Sequence, residues 1–369
     1  MAYTGEFPYK ALPMLTDSKI TKQRKVKQLV DNGYITIKRV KQRSKHEKRV
    51  RLNFASTQVK ELLPTLFAGA EDYAQYHIET NKSDATSQNR HLRLAETICM
   101  CEEAGYHVFP DEKPPLSEAK NLSTGEAYAY TSVEFKKAMG LADRKAIYTR
   151  FTAFLISEGG CYMVYNTTNH LIEWKTVGEG KAIAEVTNYL KTTNWDIPSK
   201  GITEAIVLTD TYTLGYDMIT RPFQEESSEE DNAKGRRKRR SYLSIHYADY
   251  DHLYLLPKTR DGQRLLSYMA KPNWKQRYKD ALIEPDAQAR SIPIVADAWV
   301  GNRFYLLFYD CDLIRLNDFL NAANADQMGR SYIIYAYEFQ RPLLEKLCPA
   351  NVTIDTELTI EDIMQATEI

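Results

Sequence analysis

The side chains best placed by spacing for chemistry are charged ones set two apart. Glu173-Trp-Lys175 has the Glu-x-Lys spacing of PD-(D/E)xK nucleases, in which a carboxylate holds a divalent metal and a lysine steadies the attacking water or the phosphate. Such a site needs a second carboxylate on the preceding strand. Here that strand, Tyr162 to Asn166, ends in an amide, which can ligate a hard cation but brings no negative charge, and the nearby acid is Glu158 in a Ser-Glu-Gly-Gly turn. Asp310-Cys-Asp312 closes another apolar run. Two carboxylates at a strand end can hold Mg²⁺, but an aspartate directly before Leu313 also caps a helix, and that is the role expected of Asp312. A nuclease reading therefore takes Glu158, Glu173 and Lys175 as catalytic and Glu173, Asp310 and Asp312 as metal ligands.

Other catalytic patterns are missing from the sequence. There is no Gly-x-x-x-x-Gly-Lys loop for a nucleoside triphosphate, His246 and His252 lack the His-x-His spacing of a rolling-circle nickase, and the 25 tyrosines are too dispersed to nominate a nucleophile. Five cysteines, of which Cys99 and Cys101 alone lie close together, match neither a zinc knuckle nor a disulfide scaffold. They read as reduced thiols of a cytoplasmic protein. No apolar run approaches the roughly 18 residues of a membrane span, and Met1 to Lys10 lacks the apolar stretch of a signal peptide.

Electrostatics point elsewhere. The 369 residues carry 49 basic and 49 acidic side chains, yet Met1 to Ala70 holds 15 Lys or Arg against 5 Asp or Glu, a charge of +10. The remainder carries 34 against 44, or −10. One end is thus suited to a polyanion, and the acidic remainder confines that contact to the first 70 residues.

The elements of that end are readable. Phe7 to Leu15 is a short apolar segment, and Thr16, Asp17 and Ser18 form a polar break that can cap a helix from Lys19 to Asn32. Val26, Leu29 and Val30 make its buried stripe, and Gly33 stands where a left-handed residue ends a helix. Turning by ~100° per residue puts Thr21, Arg24 and Gln28 opposite that stripe, flanked by Lys25 and Lys27. Tyr34 to Arg39 and Arg49 to Phe54 alternate as two half-buried strands of a hairpin, whose tip carries Lys41, Arg43, Lys45, His46 and Lys48. Helix, break, helix and charged hairpin resemble a winged helix-turn-helix, with Thr21, Arg24 and Gln28 reading bases and Lys22, Lys25, Lys41, Arg43 and Lys45 meeting phosphates. The alternative is a helical module that binds protein, its charge only solvated.

Beyond a polar linker at Glu79 to Gln88, Asn89 to Gly105 is an amphipathic helix with Leu92, Ala95, Ile98 and Cys99 buried. Helix is expected at Ser132 to Leu141, Glu179 to Leu190, Asp261 to Ala270 and Leu313 to Ala323. Strands are expected at Phe151 to Ser157, Tyr162 to Asn166, Leu171 to Lys175, Ala205 to Thr209, Tyr247 to Leu256, Arg303 to Tyr309 and Tyr332 to Phe339. A Lys or Asp at the end of such a strand is where a site would form. Gln224 to Ser241 is an acidic block followed by a basic one, composed as a disordered loop is.

The segments GEFPYKALPML, KITKQRKVKQLVDNGYI, RHLRLAE, FTAFLISEGGCYMVYNTTNHLIEW, FYLLFYDCDLIRLNDF and IIYAYEFQ together resemble the replication-relaxation proteins of plasmids and integrative conjugative elements of Gram-positive bacteria. The resemblance spans most of the chain and implies a winged-helix DNA reader fused to a nuclease-like α/β domain, acting in element replication or in preparing DNA for transfer. The expectation is an α+β chain: a winged helix-turn-helix at 1–70, a helical linker region at 71–127, a mixed α/β domain at 128–349 of degenerate restriction-endonuclease-like type with a loop at 224–241, and a tail at 350–369. Its expected role is to bind double-stranded DNA in the cytoplasm as a relaxosome accessory, without catalysis or cofactor, beside relaxase or replication proteins and a second copy of itself. The rival roles are a metal-dependent nuclease and a protein-interaction module.

Overall fold

Strand β1 (Glu6–Pro8) pairs antiparallel with β3 (Lys45–Leu52), and β3 pairs antiparallel with β2 (Ile35–Gln42), giving the sheet order β1-β3-β2. This is the computed structural model of the chain, which describes residues 4–14, 18–42, 45–67, 69–72, 85–118, 125–140, 150–221, 241–284 and 295–367. A 3-10 turn (Tyr9–Met14) follows β1, and helix α1 (Lys19–Asp31) precedes the hairpin. Ser18 caps α1 by accepting from the Thr21 backbone N–H at 3.3 Å. At the other end Gly33, with φ +74°, lets Tyr34 N–H reach Leu29 O at 2.9 Å and its own N–H reach Val30 O at 3.0 Å. Those paired bonds satisfy carbonyls that a helix end otherwise leaves open. Helix α2 (Thr57–Leu66) then turns Val59 and Leu63 inwards.

Helix α3 (Ala85–Glu103) joins the two halves. From His91 to Cys101 every residue except Arg93 is buried, a wider burial than the expected single stripe. One side of α3 takes β1 and the 3-10 turn, the other takes a five-stranded sheet. That sheet has the order β4 (Ala127–Thr131), β5 (Ala153–Ser157), β6 (Gly160–Asn166), β7 (Glu204–Thr209), β8 (His252–Pro257). The first three strands form an antiparallel meander and the last three run parallel. Parallel central strands are covered on both faces and read as unbroken apolar runs, as Ala205 to Leu208 and Leu253 to Leu256 do.

Helices α4 (Ser132–Ala138), α5 (Thr176–Thr192), α6 (Leu214–Thr220), α7 (Arg260–Met269) and α8 (Trp274–Leu282) connect and flank these strands. A third sheet follows with β9 (Ala298–Val300), β10 (Arg303–Leu307), β11 (Ser331–Tyr335) and β12 (Val352–Asp355) in the order β12-β11-β10-β9, together with α9 (Leu313–Ala325), α10 (Arg341–Leu347) and α11 (Ile360–Thr367). The architecture is mixed α and β, as the class expected.

Several boundaries differ from those expected. Leu171 to Lys175 alternates because Ile172 and Trp174 are buried, but the segment forms one isolated bridge, Glu173 with Tyr242, and no ladder. The strand expected from Tyr247 begins at His252, and the one expected to Phe339 ends at Tyr335 before a 3-10 turn (Glu338–Gln340). Residues 350–369, expected as a tail, contribute β12 and α11, whose Ile360 and Ile363 are buried. The loop expected at 224–241 lies outside the described residues except for Ser241.

Candidate functional site

Among its described side chains, α1 buries only Lys22 and Val26, four apart, while Leu29 and Val30, expected in the stripe, are each 36% exposed. This corrects the expectation for Lys22, which is 7% exposed and sits on the inner line where a duplex phosphate has no access. Thr21, Arg24, Lys25, Lys27 and Gln28 all face outwards. On the hairpin, Ile35 pairs with Leu52 and Ile37 with Val50, and further out on the same face Arg39 pairs with Lys48. A face that is core at its base thus turns cationic as it leaves the body. Lys38, Arg39 and Lys48 are exposed, and Lys48 lies 5.6 Å from the centre of the Tyr9 ring. Arg43 and the side chains of Lys41 and Lys45 lie outside the described residues.

A second cluster lies at the C-terminal ends of the parallel strands. Asn166 ends β6, Asp210 follows β7, and Lys258 follows β8, while α3 brings Glu96 from the opposite side. The Lys258 side chain is 2% exposed, and its ammonium donates to Glu96 Oε2 at 2.6 Å, Thr167 O at 2.9 Å and Asn166 Oδ1 at 3.1 Å, and lies 2.8 Å from Asp210 Oδ1. The Asn166 amide in turn donates to Arg93 O at 2.9 Å, which orients its oxygen towards the lysine. Lys10, from the 3-10 turn after β1, donates to the other Asp210 oxygen at 2.9 Å. Burial alone would raise the Asp210 carboxyl, but Lys258 and Lys10 outweigh it and hold the group below the usual carboxylate range. Lys10, Glu96, Asp210 and Lys258 line a cavity of about 210 Å³, with Met14 of the 3-10 turn on one wall and the exposed Arg260 at its rim.

The nuclease set does not converge. Glu158 lies in the β5–β6 turn, near the C-terminal end of α7, since the next residue, Gly159, donates to Ala270 O at 3.0 Å. Glu173 lies past the far end of β6, where Trp174 packs on Tyr165 with ring centres 5.2 Å apart. The seven residues of β6 separate the two by about 20 Å. Lys175 is exposed at the start of α5. Asp310 is bound by Arg315, which also bridges to Asp297 at 2.6 Å. Asp312 caps α9 through Ile314 N–H at 3.0 Å and takes His252 Nδ1 at 2.6 Å. Among the described residues no group of three or more His, Cys, Asp and Glu side chains is placed to hold a metal ion. Burial pushes the Cys99 and Cys101 thiols up to about 12, so they stay protonated near neutrality.

Glu96, Asp210 and Lys258 were not singled out by spacing. Their signal is a charge interrupting or ending an apolar run: Glu96 sits four residues from both Leu92 and Met100, and Asp210 and Lys258 each follow a buried strand.

Among curated proteins, the CCA-adding enzyme of Bacillus subtilis (strain 168) is 25% identical over 171 residues, which cover 42% of this chain and 43% of that enzyme. The chain therefore spans less than half the length of that relative. No family model matches the chain, and no solved structure matches it. No helix among the described residues is long and apolar enough to cross a membrane.

Proposed function

We propose that this chain binds double-stranded DNA through a minimal N-terminal winged helix and serves, without catalysis of its own, as an accessory to the replication or transfer of a bacterial mobile element. The observation that carries the reading is α1: a 13-residue helix that buries one line of side chains and presents Arg24, Lys25, Lys27 and Gln28 outwards beside a hairpin with a cationic outer end. The sheet order β1-β3-β2, with a helix entering the hairpin, is the arrangement a wing requires. In the proposed winged helix the 3-10 turn takes the place of the helix before the recognition helix, and α3 packs on β1 and that turn. The resemblance to replication-relaxation proteins supports the mobile-element setting, with relaxase or replication proteins as partners and a dimer wherever the DNA site is palindromic.

The meander followed by a helix and a parallel strand supports a restriction-endonuclease-like ancestry for the larger part, while Glu158 and Glu173 stand too far apart to share one metal ion. The test is fluorescence anisotropy of a labelled duplex across a salt series. Binding is expected to weaken linearly on a log–log plot, with a slope of about −0.9 per phosphate contacted. Arg24→Ala should lose affinity, and Lys25→Ala should reduce the slope by about one; Lys22→Ala should leave the slope unchanged. Affinity that does not vary with salt would overturn the reading and favour a protein-binding module.

A further inference from the structure

The cavity at the ends of β6, β7 and β8 is not used by the DNA contacts of α1, and its charges are arranged for a ligand. In open α/β sheets ligands settle beyond the carboxyl ends of parallel strands, which is where this cavity lies. Its walls carry three cations, Lys10, Lys258 and Arg260, against two carboxylates, Glu96 and Asp210, which leaves one positive charge in excess. The carboxylates are neutralised by their own partners. Glu96 faces Lys258 at 2.6 Å, and the two oxygens of Asp210 are taken by Lys258 and Lys10 at 2.8 Å and 2.9 Å. Arg260 differs: it is exposed at the rim, and among the described residues its guanidinium has no hydrogen-bond or ionic partner. A buried ion network such as that of Lys258 is a poor way to gain stability, since apolar side chains of similar volume would do as well or better.

We propose that this cavity binds a phosphoryl group, held bidentately by the planar Arg260 guanidinium with Lys10 as the second cation. Arginine is suited to this because its fork of N–H donors matches two phosphate oxygens at once. At about 210 Å³ the space exceeds the ~30 Å³ share of one water severalfold, enough for a phosphoryl group and part of what carries it. Lys10 belongs to the segment that leads into α1 and Arg260 to the body, so an occupying phosphate ties the two together. The inference rests on the DNA-binding reading only for the source of the phosphate, a nucleic-acid strand or a free nucleotide; the phosphoryl chemistry is common to both.

The test is isothermal titration of the full chain with inorganic pyrophosphate. Wild-type protein should bind, Arg260→Ala should weaken binding roughly 10–100-fold, and Arg260→Lys should fall between them. Arg24→Ala should bind pyrophosphate as wild type does while losing duplex affinity, so failure of this site and failure of the DNA-binding reading are distinguishable. Arg260 is exposed, and an unchanged thermal midpoint confirms that its variants fold. Single-stranded hexamers with and without a 5′-phosphate then separate the sources: preference for the phosphorylated strand indicates a terminal or nucleotide phosphate, and equal, Arg260-dependent binding indicates the backbone. No binding of pyrophosphate by wild type, or equal binding by Arg260→Ala, overturns the proposal.

Discussion

Lys258 shows how much one residue can hold. Its ammonium gathers oxygens from α3, from both Asn166 and Thr167 at the end of β6, and from Asp210 after β7, with only 2% of the lysine side chain exposed. Lys258→Met removes the cation, leaving buried Glu96 without its ionic partner and Asp210 with Lys10 alone. The expected cost is about 3–5 kcal/mol, read from the urea midpoint. Should Lys258→Met combined with Glu96→Gln recover none of that loss, the unpaired charge would not be its cause. His91, on the same helix, gives a pH dependence. Burial, and then Arg90, lower its pKa from 6.5 to about 4. The unfolded chain takes up this proton near pH 6.5 and the folded chain only near 4, so the unfolded state binds more protons between those values. Stability should therefore fall as the pH drops through that window, and His91→Gln should flatten that part of a urea-midpoint profile.

At the scale of elements, the ends of α1 were legible because caps and stops act through two or three neighbouring residues. Ser18 and Gly33 do what their positions in the sequence say. Gly33→Ala must hold a Cβ at φ +74°, so it should destabilise by roughly 1–2 kcal/mol and disturb the angle between α1 and β2. Chemical denaturation measures the first effect, and reduced duplex affinity with an intact fold measures the second. What was not legible depended on contacts distant in sequence. The alternation of Leu171 to Lys175 is genuine burial without a neighbouring strand, and the breadth of burial on α3 reflects two layers that no local pattern announces. The Lys22 and Val26 line departs from the expected stripe for a similar reason: with Leu29 and Val30 each 36% exposed, a lysine takes the place that hydropathy assigns to leucine. Glu158, Glu173 and Lys175 satisfied a spacing rule, yet a strand running between two of them put them at opposite ends of a sheet.

On the scale of the whole molecule, the boundary expected near residue 70 separates charge but not packing. Phe7, Ala11, Val26, Ile35 and Val50 belong to the same buried cluster as Leu94 and Ile98 of α3 and Ile206, Leu208 and Leu256 of the five-stranded sheet. A buried bond, Gln263 Nε2 to Met14 O at 2.6 Å, and the ion pair of Lys10 with Asp210 at 2.9 Å cross the same boundary. The shared core predicts that the basic head and the acidic body unfold as one cooperative unit. Native-state hydrogen exchange can decide this. The Leu52 amide, bonded to Gly5 O at 3.0 Å in the N-terminal sheet, and the Val207 amide in the centre of β7 should exchange with the same opening free energy, equal to that of global unfolding. If Leu52 opened at a much lower free energy, the N-terminal part would be an independent unit and its shared core would carry little stability. Asp210→Asn refines the comparison: it weakens one tie across the boundary, so it should lower both opening energies together, because in a cooperative unit a lost contact is felt throughout.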